Sequence, residues 1–117
     1  MNTPDTGEVV DQVKPDAVIC AIGADPLKPS IPGIDDKRVV YFDILAKADA
    51  PIGEHVVIIG AGLVGSESAI HFLHEGKKVT LIEMKNDFAA DANPFHKMGL
   101  NRELIGNADI KLNTTVK

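Results

Sequence analysis

Residues 55–83 read HVVIIGAGLVGSESAIHFLHEGKKVTLIE, and the fold is decided inside them. His55-Val56-Val57-Ile58-Ile59 is a run of mostly β-branched apolar residues, which packs well on a pleated sheet and marks a buried strand. Gly60-Ala61-Gly62-Leu63-Val64-Gly65 follows without an intervening loop. From Ser66 to Glu75 the spacing is helical, with Ile70 and Leu73 on one face and Leu63 and Ser66 behind them. Gly76 stands where a helix ends in the left-handed region, which glycine enters without penalty. Val79-Thr80-Leu81-Ile82 is a second apolar strand, closed by Glu83. Strand, glycine turn, helix and strand in so short a span form one βαβ unit, whose crossover is right-handed. The expected fold class is α/β: a three-layer Rossmann-like domain around a central parallel sheet of about four strands.

Outward from this unit the chain is less regular. Asn93-Pro94 reads as a helix cap followed by proline at the first helical position, which predicts a helix over Phe95–Ile105 stopped by Gly106-Asn107. Asp109-Ile110-Lys111-Leu112 reads as a third strand of the unit. Upstream, Ala17-Val18-Ile19-Cys20-Ala21-Ile22 is an apolar run ended by Gly23, which predicts a strand covered on both faces with Cys20 as an inert core thiol. Pro26, Pro29 and Pro32 fix three φ angles and remove three donors, so the stretch from Ala24 to Gly33 is expected to be an extended connector. Asp35-Asp36 is a turn pair, Arg38–Tyr41 a short strand, and Asp43 caps a brief helix over Ile44–Ala48. Residues 1–16 are polar, with Pro4, Gly7 and Pro15, and predict a flexible start with one helical turn near Glu8–Val13. The expected division is therefore 1–16, 17–53 (strand and Pro-rich connector) and 54–117 (the βαβ domain).

The glycine turn carries the chemistry. Gly60 allows a tight bend out of the strand, Gly62 lets the backbone lie against a diphosphate, and Gly65 lets the helix approach the sheet. The start of the helix then presents unpaired N–H groups and about half a positive charge to a bound anion. An acid, Glu83, follows 23 residues beyond Gly60, the spacing at which a carboxylate accepts from the adenosine ribose hydroxyls. A 2′-phosphate there meets a like charge, which favours NAD(H) over NADP(H), although Lys85 softens the rejection. A solvated strand-end acid is the plainer alternative for Glu83.

Composition narrows the field. The chain has 117 residues, a net charge of −5 and one cysteine, which excludes an intrachain disulfide and a thiolate-bound cluster and fits a reducing, cytoplasmic compartment. The acidic balance argues against nucleic acid or an anionic membrane as partner, and no apolar run is long enough to span a bilayer. The polar, acidic first residues are the reverse of a signal peptide. His71 and His74 are spaced i, i+3 but lack a third ligand at a characteristic spacing, so no metal is expected. CxxC, GxSxG and P-loop patterns are absent from the sequence, which removes dithiol, serine-hydrolase and NTPase chemistry.

These residues resemble the NAD(P)H-binding domain of the two-dinucleotide-binding flavoproteins, the pyridine nucleotide-disulfide oxidoreductase class. In that class the segment is inserted into a FAD-binding domain whose exit strand ends in Ala-Thr-Gly before a Pro-Gly-Ile stretch. Ala21-Ile22-Gly23 and Pro29-Ser30-Ile31-Pro32-Gly33-Ile34 are similar, with Ile22 in place of the threonine; the resemblance adds Gly23 to the candidate cofactor residues. Gly60–Glu67, Lys77–Thr80 and Glu83-Met84 are most similar to the C-terminal half of the NADH:flavin oxidoreductases of dienoyl-CoA reductase and enoate reductase type, related to Old Yellow Enzyme. The resemblance implies FAD, FMN and an iron–sulfur cluster in the full-length protein. It also implies FAD and barrel domains as partners of a fragment that is not active alone, with hydride passing from NADH to flavin.

By resemblance Glu67 corresponds to a helix acid near the nicotinamide; read from the residues alone it is an ordinary first-turn acid. Leu63 stands where some disulfide reductases have a tyrosine over the flavin, and with no CxxC this points away from glutathione- and thioredoxin-reductase types. The candidate cofactor-binding residues are thus Gly23, Gly60, Ala61, Gly62, Leu63, Val64, Gly65, Glu67, Glu83, Met84 and Lys85, with no catalytic residue and no metal ligand. The alternatives are a non-catalytic adenine-nucleotide-binding domain and a free-standing NAD-dependent dehydrogenase, for which no acid–base constellation follows the βαβ unit.

Overall fold

The computed structural model describes residues 7–23, 25–41 and 52–117. Its elements in chain order are α1 (Gly7–Val13), β1 (His55–Ile59), α2 (Leu63–His74), β2 (Lys78–Ile82), α3 (Pro94–Leu104) and β3 (Asp109–Lys111). The three strands form one parallel sheet in the order β1-β2-β3. His55–Ile59 pairs with Lys78–Ile82 over five residues, and Thr80–Ile82 pairs with Asp109–Lys111. This is the α/β, Rossmann-like arrangement expected from the sequence.

Register and alternation sort the side chains. Val56, Ile58, Val79, Leu81 and Ile110 share one face and join a core with Ala69 and Phe72 of α2 and Leu100 and Leu104 of α3. Leu81 and Leu104 are wholly buried, each contributing about 1.5–3 kcal/mol by burial. The opposite face carries Val57 and Ile59, both 52% exposed. The described residues thus supply two of the three expected layers.

Local chemistry explains the helix ends. Asn93 caps α3, its side-chain oxygen accepting from the His96 amide at 2.9 Å, with Pro94 at the first helical position. At the far end of α2 the Lys77 amide reaches Phe72 O at 3.0 Å and the Gly76 amide reaches Leu73 O at 2.9 Å. With Gly76 at φ +78°, this is the Schellman closure.

Several expectations are corrected. Ala17–Ile22 is not a strand: it is irregular, exposed (Ile19 at 90%) and without a ladder partner among the described residues. Cys20 is therefore an exposed thiol rather than a core one, and the sheet has three strands among the described residues. Residues 38–41 form no strand and have no ladder partner among the described residues. The buried face of α2 is Ser66, Ala69 and Phe72, with Ile70 and Leu73 at its flank, because the small residues allow the helix to sit close to the sheet. The brief helix over Ile44–Ala48, capped by Asp43, lies outside the described residues. The helical turn near Glu8–Val13 is part of α1, and Asp35-Asp36 lies in a turn.

Candidate functional site

The site is built where β1 hands over to α2. Gly60 continues the sheet ladder, its amide donating to Ile82 O at 2.8 Å, while its φ of +97° bends the chain away. At Gly65 an added Cβ would fall 1.9 Å from Gly60 O, so α2 begins in direct contact with the end of β1. At Gly62 an added Cβ would meet nothing within 4 Å. The three glycines therefore do different work: Gly60 bends, Gly65 permits contact inside the protein, and Gly62 leaves space outside it.

Gly62 is also the cap residue of α2 and offers no side-chain hydrogen bond. The first helical bond runs from the Ser66 amide to Gly62 O at 2.9 Å. Among the described residues no acceptor pairs with the amides of Gly62, Leu63, Val64 and Gly65. The contrast with α3, closed by Asn93, is chemical: a Ser, Asp or Asn at Gly62 would occupy those donors itself. Leu63 and Val64 are exposed on the same helical turn, so the donors open to solvent. Four free amides and the positive end of a helix suit a diphosphate.

Ala61 is wholly buried and has every main-chain polar group engaged. Its amide donates to Glu83 Oε2 at 2.8 Å. Its carbonyl accepts from the Ala89 amide at 2.6 Å and from Ser66 Oγ at 3.2 Å. Glu83 lies at the end of β2 and is only 8% exposed. Its Oε1 accepts from the Lys85 amide at 2.9 Å. Burial pushes the Glu83 carboxyl up, but hydrogen bonds from the amides of Lys85, Ala61 and Met84, with the Lys85 charge, outweigh it and hold the group below its ordinary value. It is an anion at neutral pH.

Met84 is exposed beside Glu83. The Lys85 ammonium lies 3.9 Å from Asp91 Oδ2. The structure thus brings Gly60–Gly65, Glu83, Met84 and Lys85 together at the C-terminal ends of β1 and β2, where open α/β sheets take their ligands. Glu67 lies beyond the first turn of α2, which corrects its reading as a first-turn acid. Its Oε1 is 3.2 Å from His96 Nε2 on α3. Gly23 lies in the exposed irregular segment with φ +85° and makes no hydrogen bond to the βαβ unit among the described residues.

The sequence reading missed the loop over residues 84–93. Phe88 and Ala89 are buried, and Ala89 has φ +44°, a left-handed conformation unusual for alanine. Lys97 of α3 fastens this loop: Nζ is 2.7 Å from Asp87 Oδ1, donates to Phe88 O and lies 3.8 Å from the Phe88 ring centroid. No periodicity links a lysine to an aromatic nine positions earlier, so only the fold reveals the clasp. Among the described residues no cluster of three metal-ligating side chains occurs, and no helix is long and apolar enough to cross a membrane.

Known proteins with this arrangement agree with it. The family model for pyridine nucleotide-disulphide oxidoreductase matches residues 3–117. A NADH oxidase of Thermoanaerobacter brockii is 37% identical over 100 residues, covering 82% of this chain and 15% of that protein. Cinnamate reductase of Clostridium sporogenes is 30% identical over 120 residues, covering 99% and 18% respectively. The solved structure of a 2-naphthoyl-CoA reductase in complex with 2-naphthoyl-CoA superposes with a TM-score of 0.74 at 32% identity, over 98% of this chain and 18% of that one. The chain spans less than a fifth of the length of each of these relatives. On its glycine turn, its parallel sheet and a match along nearly its whole length, the chain belongs to the pyridine nucleotide-disulphide oxidoreductase family.

Proposed function

We propose that this chain is the NAD(H)-binding module of a cytoplasmic, FAD-dependent oxidoreductase of the NADH:flavin oxidoreductase type, resembling the C-terminal half of the dienoyl-CoA and enoate reductases. The observation that carries the reading is the uncapped start of α2, where the amides of Gly62, Leu63, Val64 and Gly65 lack acceptors beside open space at Gly62. Those amides hold the diphosphate. Glu83 accepts from the adenosine ribose through the lone pairs its two amide bonds leave free, while Met84 and Lys85 flank the adenosine. Glu67, one turn further along α2, corresponds by resemblance to a helix acid near the nicotinamide. Bound there, NADH would supply hydride to a flavin, this chain's part being to bind and orient it. Residues 17–53, Gly23 included, belong in this reading with a FAD-type domain, and residues 54–117 with the NAD(H) domain. FAD, an FMN-bearing barrel and an iron–sulfur cluster belong to the full-length protein. The NADH oxidase and cinnamate reductase names of the relatives support this reading.

A second reading, an adenine-nucleotide-binding domain with no catalytic role, draws on the two amides that already occupy Glu83. Calorimetric titration with NADH, NADPH and ADP separates the two. The first reading expects NADH to bind more tightly than either competitor. Equal affinity for ADP and NADH supports the second, and no binding of any of the three removes both.

A further inference from the structure

We propose that Glu83 is a positioning residue for the phosphate-binding turn, fixing the Ala61 amide so that the amides after it face the diphosphate, whatever contact it also makes with ribose. The proposal rests on the nucleotide-binding reading above and deepens it. It starts from where the carboxylate points. A ribose ligand at a strand end is expected to present its oxygens to solvent, but Glu83 is 8% exposed. Its oxygens are turned to the Ala61 amide at 2.8 Å and the Lys85 amide at 2.9 Å. The main chain of Glu83 is held as well, its amide donating to Lys111 O and its carbonyl accepting from the Thr114 amide, both at 2.9 Å. The carboxylate is therefore a strut between the anchored end of β2 and the turn.

The turn needs one. Glycine precedes and follows Ala61, and glycine torsions are the softest in the chain. Each peptide unit is planar and trans, so its N–H and C=O point in opposite directions. Ala61 O and the Gly62 N–H belong to one such plane. The Ala89 amide and Ser66 Oγ hold that oxygen on the protein side, which turns the Gly62 N–H outward. The preceding plane, which ends in the Ala61 N–H, is held by Glu83 Oε2. Releasing Glu83 frees that plane to rotate about Gly60, which leaves the Gly62 N–H aimed by the carbonyl contacts alone. Preorganised donors bind an anion without first paying for their own ordering. Lys85 is the charged group that acts on the carboxylate. Glutamine is a close isostere with the wrong chemistry, because its amide nitrogen would face one of the two N–H donors.

Inorganic pyrophosphate distinguishes positioning from ribose recognition, since it has no ribose. Titrated into the wild-type chain and Glu83→Gln, pyrophosphate is expected to weaken about tenfold and NADH by at least that factor, since NADH also loses any ribose contact. NADH weakened with pyrophosphate unchanged makes Glu83 a ribose ligand only and overturns the proposal while leaving the nucleotide-binding reading intact. Failure of the wild type to bind NADH overturns that reading and the proposal with it. A second measurement needs no variant. In wild-type NMR spectra the Ala61 and Lys85 amide protons are expected to titrate together with one midpoint below the ordinary glutamate range. Pyrophosphate affinity, corrected for the ligand's own protonation, is expected to fall through the same midpoint. Independent or absent titration of the two amides rejects the strut.

Discussion

Replacing Gly65 by alanine sets two effects of opposite sign against each other. In an exposed helix the change stabilises by about 1 kcal/mol, because alanine has the higher helix propensity. Here the new Cβ would lie 1.9 Å from Gly60 O and 3.0 Å from Gly60 C, where van der Waals contact begins near 3.4 Å. The start of α2 must withdraw from β1 by the difference, about 1.5 Å. The oxygen cannot move instead, because the Gly60 amide is bonded to Ile82 O and Ala61 behind it is buried and bonded on both sides. Overpacking of this kind costs about 1–3 kcal/mol, and contact with an anchored carbonyl belongs at the upper end. The net expectation is a loss of about 2 kcal/mol. Urea unfolding followed by far-UV circular dichroism reads this as a midpoint lower by about 1 M.

Gly62→Ala is the control. Its φ of −64° is ordinary and nothing lies within 4 Å of the new methyl, so stability is expected to change by less than about 0.5 kcal/mol. On the proposed reading NADH affinity is expected to fall more than about tenfold, because the methyl would stand where that reading puts the diphosphate. A Gly65→Ala protein as stable as wild type refutes the argument that the approach of α2 to β1 is what requires glycine there.

Lys97→Met keeps the apolar stem but leaves Asp87 and Phe88 O without their donor; with the side chain only 20% exposed, the expected loss is about 1–3 kcal/mol in urea unfolding. Asn93→Ala removes the acceptor for the His96 amide and is expected to cost about 1 kcal/mol, read as a lower unfolding midpoint. Glu83 links stability to pH. Burial raises its carboxyl and the amides of Lys85, Ala61 and Met84 lower it further, so the folded value lies below the ordinary 4.5. Its contribution is then complete above that ordinary value and is lost as pH falls through the folded one. The stability difference between wild type and Glu83→Gln is expected to be constant at neutral pH and to shrink below about pH 4.5; a difference that grows on acidification rejects the assignment.

The βαβ unit was legible because its signals are local. The run of β-branched residues, the glycine spacing, the Asn93-Pro94 cap and the Gly76 stop each act within a turn or two of chain, and each is seen in the structure. What was not legible depends on neighbours distant in sequence. Ser66 and Ala69 form the buried face of α2 in preference to more apolar Ile70, since contact distance to the sheet, rather than side-chain hydrophobicity, selects that face. Glu83 reads as a surface ligand because nothing in the sequence says that amide donors from a turn 22 residues earlier reach it first. Nothing in the expected helix over Phe95–Ile105 singles out Lys97, and only the folding back of residues 87–88 gives it partners.

The two apolar runs carry the same lesson in its simplest form. Ala17–Ile22 and His55–Ile59 are both strongly apolar runs, yet one is an exposed irregular segment and the other a strand. Intrinsic preference for the extended state differs among residues by about 1 kcal/mol or less, too little to hold a run of five or six in place. What holds β1 is the ladder to β2, reached 23 positions later by a helix whose own apolar face lands on the same strands. Ala17–Ile22 has no such neighbour among the described residues, and none of its amides donates to a main-chain oxygen there. Being a strand is thus a property of a pair. The outer side of β1 is the converse case, since among the described residues Val57 and Ile59 sit on an edge strand without the lysine or proline that often protects one. Strand propensity in this sequence therefore marks where pairing is possible, and the helix that follows decides where it occurs.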